Sequence, residues 1–449
     1  MSIALFEAFD ILEKKIQKHT AVEFEFYGLE EKGLEIEIKD QKPHQIQYSN
    51  DRAIGIRLFD KNRVGFGFCT HLTKNSLNQS LNQAFQTLEH TPLSFSSITP
   101  IIPKASYPKI NQNDEKINEY PFEQKLSLAL ELEKSALDSH PLVKQVHGTN
   151  YSESSEWIVF QNSSGLKLDY QSTCVSLSLM AIAEKNNSIE NYSSFSQAIS
   201  LNELQPQLLG QLVGKRAVEN LGSKTIQTGP YAIVIENRAA AELIEFLAPS
   251  FQADSLHKGT SLLNDSLNQK IFPPSLELID DPTLSNHPCS KPFDGEGVPS
   301  QKKILIKNQK VNTLLYDNYW AKKLGKKSTG NAIRENVLAP PSLGASILYI
   351  APGSRSLSDL LNSYSSLVLI RELLGIHFAN SISGDFSIGI KGFLIKNGEM
   401  IHPISHVTFS GNFLTILQNL EEIGDDLIFQ GAFGSPSLLV GTFSLSGEN

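Results

Sequence analysis

Cysteine is almost missing from this chain. Only Cys69, Cys174 and Cys289 occur in 449 residues, odd in number and far apart. Such a set cannot make a disulfide framework, and it points to a reducing, cytoplasmic compartment. Long apolar runs are missing too. No stretch approaches the ~18 uninterrupted apolar residues of a membrane helix, which excludes a helical span. Around Met1-Ser2-Ile3-Ala4 no basic segment precedes an apolar one, so no signal peptide is expected. Positive charge is in deficit: 39 Lys and Arg face 48 Asp and Glu, for a net charge of −9. A direct nucleic-acid binder shows the opposite balance. Lys322, Lys323, Lys326 and Lys327 form a small basic group that reads as a solvated helix end. Recognisable nucleophile motifs such as G-x-S-x-G are absent, as is any solenoid repeat. Histidine is absent between His147 and His257.

What remains is an ordinary globular composition, 40% apolar and 19% charged, in a chain long enough for several cores. Residues 3–18 have helical spacing, with Phe6, Phe9 and Ile16 among the apolar positions. Alternation then predicts four strands, around Val22–Phe26, Leu34–Ile38, Ile54–Leu58 and Val64–Phe68. Such period-two alternation marks antiparallel strands with one wet face. Helical spacing returns over 76–89. Pro92, Pro100, Pro103, Pro108 and Pro121 mark a linker, because proline at that density continues neither a helix nor a central strand. A helix near 122–138 opens a second unit, with a hairpin turn at Asn162–Gly165 and a helix near 203–220. Tyr231–Ile235 reads as a buried strand and Ala239–Leu247 as a helix stopped by Pro249. Short strands and turns follow, including an Asn397-Gly398 hairpin. The fold class expected is α+β: N-terminal helix-and-antiparallel-sheet units, then a larger, mainly antiparallel β domain. The expected division is 1–95, a Pro-rich linker 96–121, a second unit 122–225, and a C-terminal domain 226–449.

Metal motifs are weak. His402 and His406 are the one close histidine pair, and Pro403 between them favours a strand over a helix. Four strand residues span roughly 13 Å, too far for one zinc with ligand bonds of ~2 Å. His287-Pro288-Cys289 lacks a second ligand pair. Asp280, Asp281, Asp294 and Glu296 lack the ligand spacing of a calcium loop and read as turn-forming or interface residues. Gly384–Lys391 misses the phosphate-loop register by one residue and alternates like a strand.

Several blocks occur in a telling order: Asp51–Arg57, Lys291–Pro299, Leu315–Asp317, Ser328–Arg334, Gly384–Ser387, Asn397–Glu399, Gly411–Phe413 and Ser435–Ser437. Together they resemble the TldD/PmbA family, whose members are also described as modulators of DNA gyrase, over nearly the whole chain. The resemblance implies a cytoplasmic two-chain protease that trims unfolded or extended peptides, including microcin precursors and an antitoxin, inside an enclosed chamber. It implies two branches. TldD-like chains hold zinc with an H-E-x-x-x-H helix and a late cysteine. PmbA-like chains, also called TldE, pair with them and lack the metal site.

Counting back from Lys258-Gly259-Thr260-Ser261, Ile244 and Pro249 stand at the two histidine positions and Glu245 at the glutamate. The late cysteine is missing as well, since the last one is Cys289. The resemblance therefore implies the PmbA branch, with no catalytic residue or metal ligand in this chain and zinc in a TldD-like partner. The expected partner is that homologue, in a heterodimer, or a second copy of this chain. The ligand expected is unfolded peptide, with no membrane involved. Candidate peptide-binding or interface residues are Phe293, Asp294, Gly295, Glu296, Gly297, Ser328, Thr329, Gly330, Arg334, Gly384, Asp385 and Phe386. The strand Gly384–Gly392 is expected to offer a free edge to a peptide. Two other readings stay open: a homodimeric hydrolase with an unrecognised site, and a peptide-binding or regulatory protein without a protease partner.

Overall fold

A computed structural model describes residues 3–19, 22–60, 63–91, 106–264 and 266–448. Pro92, Pro100 and Pro103 of the expected linker lie outside the described residues. The class is α+β. Strands β1 (Glu23–Lys39), β2 (Lys42–Asp60), β3 (Arg63–Cys69), β4 (Val143–Asn162), β5 (Lys167–Lys185) and β6 (Ser188–Ala198) form one sheet in the order β3-β2-β1-β4-β5-β6. All its pairings are antiparallel. The segments before and after residue 100 thus share a sheet, with β1 hydrogen-bonded to both β2 and β4.

Two expected strands are one. Val22–Phe26 and Leu34–Ile38 fall within or beside the single 17-residue strand β1. Gly28 and Gly33 lie between them without making a turn, and the alternation stays in phase. Likewise Ile54–Leu58 is the far end of the 19-residue β2. The turn joining β1 and β2 is Asp40-Gln41, both at positive φ (53° and 58°). That primed geometry suits two right-twisted strands, although Asp-Gln is not a usual signal for it.

Even-numbered residues of β1 share one face, and four helices cover it. Phe24 and Phe26 pack under α1 (Leu5–Ile16) and α2 (Lys74–His90). Leu34, Ile36 and Ile38 pack under α3 (Phe122–Asp138) and α4 (Pro206–Glu219). The opposite face divides. Near Tyr27 and Phe160 it is apolar and packs on Phe293. Further along it is polar: Gln47 pairs with Glu35, Glu35 with Ser152, and Ser152 with Ser176. Glu35 and Gln47 are exposed there.

The C-terminal half holds a second six-stranded sheet. Its order is Glu399–Asn412, Asp385–Lys396, Ser366–Leu374, β7 (Gly229–Ile235), Leu438–Ser446 and Glu422–Ile423. Thr408 and Phe409 pair with Ser446 and Leu445, so the sheet closes on itself. β7 runs parallel to Ser366–Leu374 and is central, which explains its continuous apolar run. The Asn397-Gly398 hairpin forms as expected, with both residues at positive φ. Helix α5 (Asn237–Leu247) leaves β7 at Glu236 and buries Ala239, Ala240, Leu243, Ile244 and Leu247. This stripe joins a core with Ile233 and Ile370 of the closed sheet and Leu278, Leu305 and Leu348 of a third sheet.

Candidate functional site

Helix α5 has two chemical faces. At 100° per residue, Arg238, Glu242 and Glu245 fall together, opposite the apolar stripe. Ile244 belongs to the stripe and is fully buried. Glu245 is exposed, and so is Pro249, which stands in a short 3-10 turn beyond the helix end. Isoleucine and proline side chains offer no metal donor, and the Ile244 side chain is surrounded by apolar core. The positions taken by zinc-binding histidines in the resemblance therefore do not fit a zinc ion. Among the described residues, no group of three or more His, Cys, Asp or Glu is placed to hold a metal.

The polar face of α5 borders the cleft between the two halves of the molecule. This cavity, about 490 Å³, is walled by β4, β5 and β6 on one side and by α5 and Ser366–Leu374 on the other. Arg238, Glu242, Arg371 and Glu372 line it. Glu242 reaches water within the cleft, yet its carboxyl is pushed up to about 7. Desolvation by the cleft walls is the largest cause, followed by the charges of Glu245 and Glu372. Glu372 is also raised, again mainly by burial. The sequence reading missed this quartet. Its only signal was two charges, Arg238 and Glu242, four apart in an alanine-rich helix.

The candidate residues of the Phe293 block lie elsewhere. Phe293, Asp294, Gly295, Glu296 and Gly297 are buried inside the chain. Phe293 inserts among Tyr107, Phe160 and Tyr170 of the N-terminal half. Gly297, at φ 77°, passes so near Phe160 that an added Cβ would lie 2.7 Å from the ring. Arg57 of β2 binds Glu25 of β1 at 3.1 Å and Glu296 at 3.0 Å. Arg334 binds Glu25 at 2.8 Å, donates to the Gly295 carbonyl at 2.9 Å and lies over the Tyr27 ring. Asp294 accepts from the backbone N–H groups of Glu296, Val298 and Ala332. Asp280 is fully buried and binds Lys303 and Asn331. Glu25, Arg57, Glu296 and Arg334 make a buried polar clamp that ties the N-terminal sheet to the C-terminal half, and the Asp280 and Asp294 bonds brace its C-terminal side. Ser328 and Thr329 are half-buried and hydrogen-bond to Tyr316, and Gly330 is buried.

Gly384 and Phe386 are buried and Asp385 is exposed, bonded to Asn412. The expected free strand edge is corrected for Gly389–Gly392, while Asp385–Ile388 pairs on one side only, with Phe409–Asn412. Gly389–Lys396 is flanked on both sides, by Ser366–Leu374 and by Glu399–Asn412. The hydrophobic alternation of this strand reflects its place inside a closed sheet.

His287 accepts the Cys289 N–H through Nδ1 at 3.2 Å and meets the Phe429 ring edge-to-face. Burial holds its pKa down at about 4. The unfolded chain binds a proton below about 6.5, while the folded chain refuses it until about 4. Stability from this group is therefore present above pH 6.5 and is lost as pH falls towards 4. Urea unfolding at pH 7 and pH 5 is expected to show about 1–2 kcal/mol more acid loss in the natural chain than in His287→Asn. Equal losses would refute this.

Sequence and structure comparisons fit the same architecture. Family models described as PmbA/TldA metallopeptidase match in three parts: domain 1 over residues 24–89, the central domain over 115–221 and the C-terminal domain over 228–447. The chain belongs to the PmbA/TldD family. It is 26% identical to the metalloprotease PmbA homolog of Buchnera aphidicola from Acyrthosiphon pisum, over 97% of this chain and 95% of the relative. Identity to metalloprotease PmbA of Escherichia coli O157:H7 is also 26%, over 93% and 90%. A metalloprotease TldD homolog of the same Buchnera strain is 25% identical over 86% and 82%. A solved structure from Thermotoga maritima, described as a candidate modulator of a DNA gyrase, superposes with TM-score 0.91 at 26% identity, covering 99% and 100% of the two chains. TldE from Thermococcus kodakarensis shares the fold, with TM-score 0.88 at 22% identity over 98% and 100%. Among the described residues no helix is long and apolar enough to cross a membrane.

Proposed function

We propose that this chain is the non-catalytic, PmbA/TldE-like subunit of a two-chain zinc metalloprotease of this family. One observation carries the reading: the α5 face that would present the first metal ligand holds Ile244, packed in the core. Catalytic zinc needs about three protein ligands and an open position for water. Ile244 and Pro249 have no donor atom, and no cysteine follows Cys289. Without a metal-bound water to deprotonate, Glu245 is a solvated helix-face carboxylate. The metal and the hydrolytic step then belong to a TldD-like homologue in the cytoplasm, and this chain contributes a wall of the chamber. The open polar face of the N-terminal sheet, with Glu35, Gln47, Ser152 and Ser176 in register, suits an unfolded peptide. It offers hydrogen bonds without apolar selectivity.

Reconstitution tests this. The chain alone is expected to carry no stoichiometric zinc and to leave an unfolded polypeptide intact. Mixed with a TldD-like homologue bearing H-E-x-x-x-H, it is expected to give a cleaving complex that a zinc chelator stops. Chelator-sensitive cleavage by the chain alone would establish the homodimeric hydrolase instead. No complex with such a homologue would favour a peptide-binding protein that meets no protease.

A further inference from the structure

The cleft beside α5 holds three buried polar atoms that make no hydrogen bond among the described residues: Arg238 Nη1, Arg371 Nε and Ser194 Oγ. Buried polar groups are nearly always satisfied, and Arg371 Nε still faces Glu236 at 3.6 Å, so Arg238 and Ser194 are the cavity-lining residues whose buried polar atoms lack a partner among the described residues. The two arginines differ. Arg371 is fixed, with Nη1 on Glu219 at 2.7 Å, Nε 3.6 Å from Glu236 and its guanidinium over the Phe393 ring. Arg238 has neither an ion pair nor a hydrogen bond among the described residues, although Glu242 stands one helical turn away. Glu236, which ends β7, is already taken by Arg216 through both its oxygens. Arg238 is thus a guanidinium fork on a rigid helix without a carboxylate.

We propose that this cleft is a carboxylate-binding subsite in which Arg238, with Ser194, captures the C-terminal carboxylate of an extended peptide. A guanidinium matches a carboxylate with two parallel N–H···O bonds. The charge balance selects a monoanion. Glu242 and Glu372 border the same cavity and would repel a phosphate dianion. A single carboxylate is tolerated because Glu242, pushed up to about 7, takes a proton near neutral pH and then donates to it. The shape selects an extended ligand. Gly148 and Ser178 line this cleft and also a second cavity, of about 340 Å³, bordered by Glu35, Gln47 and Asn150. The cleft therefore continues onto the polar sheet face, along which a peptide chain can run with its terminus at Arg238. The proposal takes peptide as the ligand from the functional reading above. Its chemistry involves neither a metal nor a partner chain.

The test uses the full chain and three peptides labelled at the N-terminus: a hexapeptide of small polar residues with a free C-terminal acid, its C-terminal amide, and an amide ending in Glu. Fluorescence anisotropy is expected to show the free acid binding roughly tenfold or more tighter than the neutral amide, with the Glu amide near the neutral one. Arg238→Met is expected to erase the difference between acid and amide and leave amide binding unchanged. Arg238→Lys is expected to restore part of it, and Ser194→Ala to reduce it. The Arg238 side chain makes no hydrogen bond or ion pair among the described residues, so its replacement breaks none of these, and an unchanged melting midpoint verifies the variant. Equal binding of acid and amide, no binding of either, or retained discrimination in Arg238→Met would overturn the proposal. Equal binding of the Glu amide and the free acid would overturn the chain-end assignment in favour of an acidic side chain. All these readouts are independent of proteolysis in the reconstituted pair, so either reading can fail alone.

Discussion

Arg57→Met is expected to lower the unfolding free energy by about 3–5 kcal/mol, the cost of removing one partner from a buried ion pair. Arg57 and Glu296 are both nearly inaccessible, with side chains 5% and 3% exposed. Both terminal nitrogens of Arg57 donate to Glu296 Oε1. Once they are gone, Glu25 keeps Arg334, but among the described residues Glu296 keeps as its one hydrogen bond the Asn318 N–H. An uncompensated carboxylate then sits between the two halves of the molecule. Adding Glu296→Gln to Arg57→Met is therefore expected to return part of the loss, because the orphan charge disappears. Urea unfolding of the single and double variants measures both effects. A loss below about 0.5 kcal/mol in Arg57→Met would show that the clamp does not hold the halves together.

The second large effect concerns the metal. Ile244→His combined with Pro249→His is expected to yield no stoichiometric zinc and to destabilise the fold by about 2–4 kcal/mol, from a buried imidazole and lost apolar packing. Two histidines alone fall short of the three ligands a catalytic site uses. The geometry is also wrong. Position 244 points into the core between the sheets, while position 249 is exposed beyond the helix end. Metal analysis after zinc loading, with thermal melting alongside, checks both parts. One tightly held zinc per chain would mean that the core opens readily and that the site is merely stripped of ligands.

Much of this protein was legible in its sequence because the signals are local. The 3.6-residue spacing located α2, α3 and α5 to within a few residues. The Asn397-Gly398 turn specified its hairpin. The family was legible from blocks in order, and counting back from Lys258–Ser261 exposed the absence of histidine at 244 and 249. Strand length was harder to read. Alternation shows which face a residue takes but not where a strand ends, so β1 looked like two strands until Asp40-Gln41 proved to be the turn.

The clamp and the cleft were not legible, for a different reason. Arg57 and Glu296 are 239 residues apart, and charged residues in a sequence read as surface until a fold buries them. That is why Phe293–Gly297 read as a candidate peptide-binding or interface segment, whereas the fold buries it. Arg238 was one charge among many. It became a candidate ligand fork once β6, α5 and Ser366–Leu374 enclosed one cavity and left its Nη1 without a partner. By itself the sequence determined the fold class, the family and the missing donor atoms, since these depend on residue types and short spacings. Tertiary structure decided which charges are buried together and which stay open, because burial and pairing are set by segments that meet only when the chain has folded.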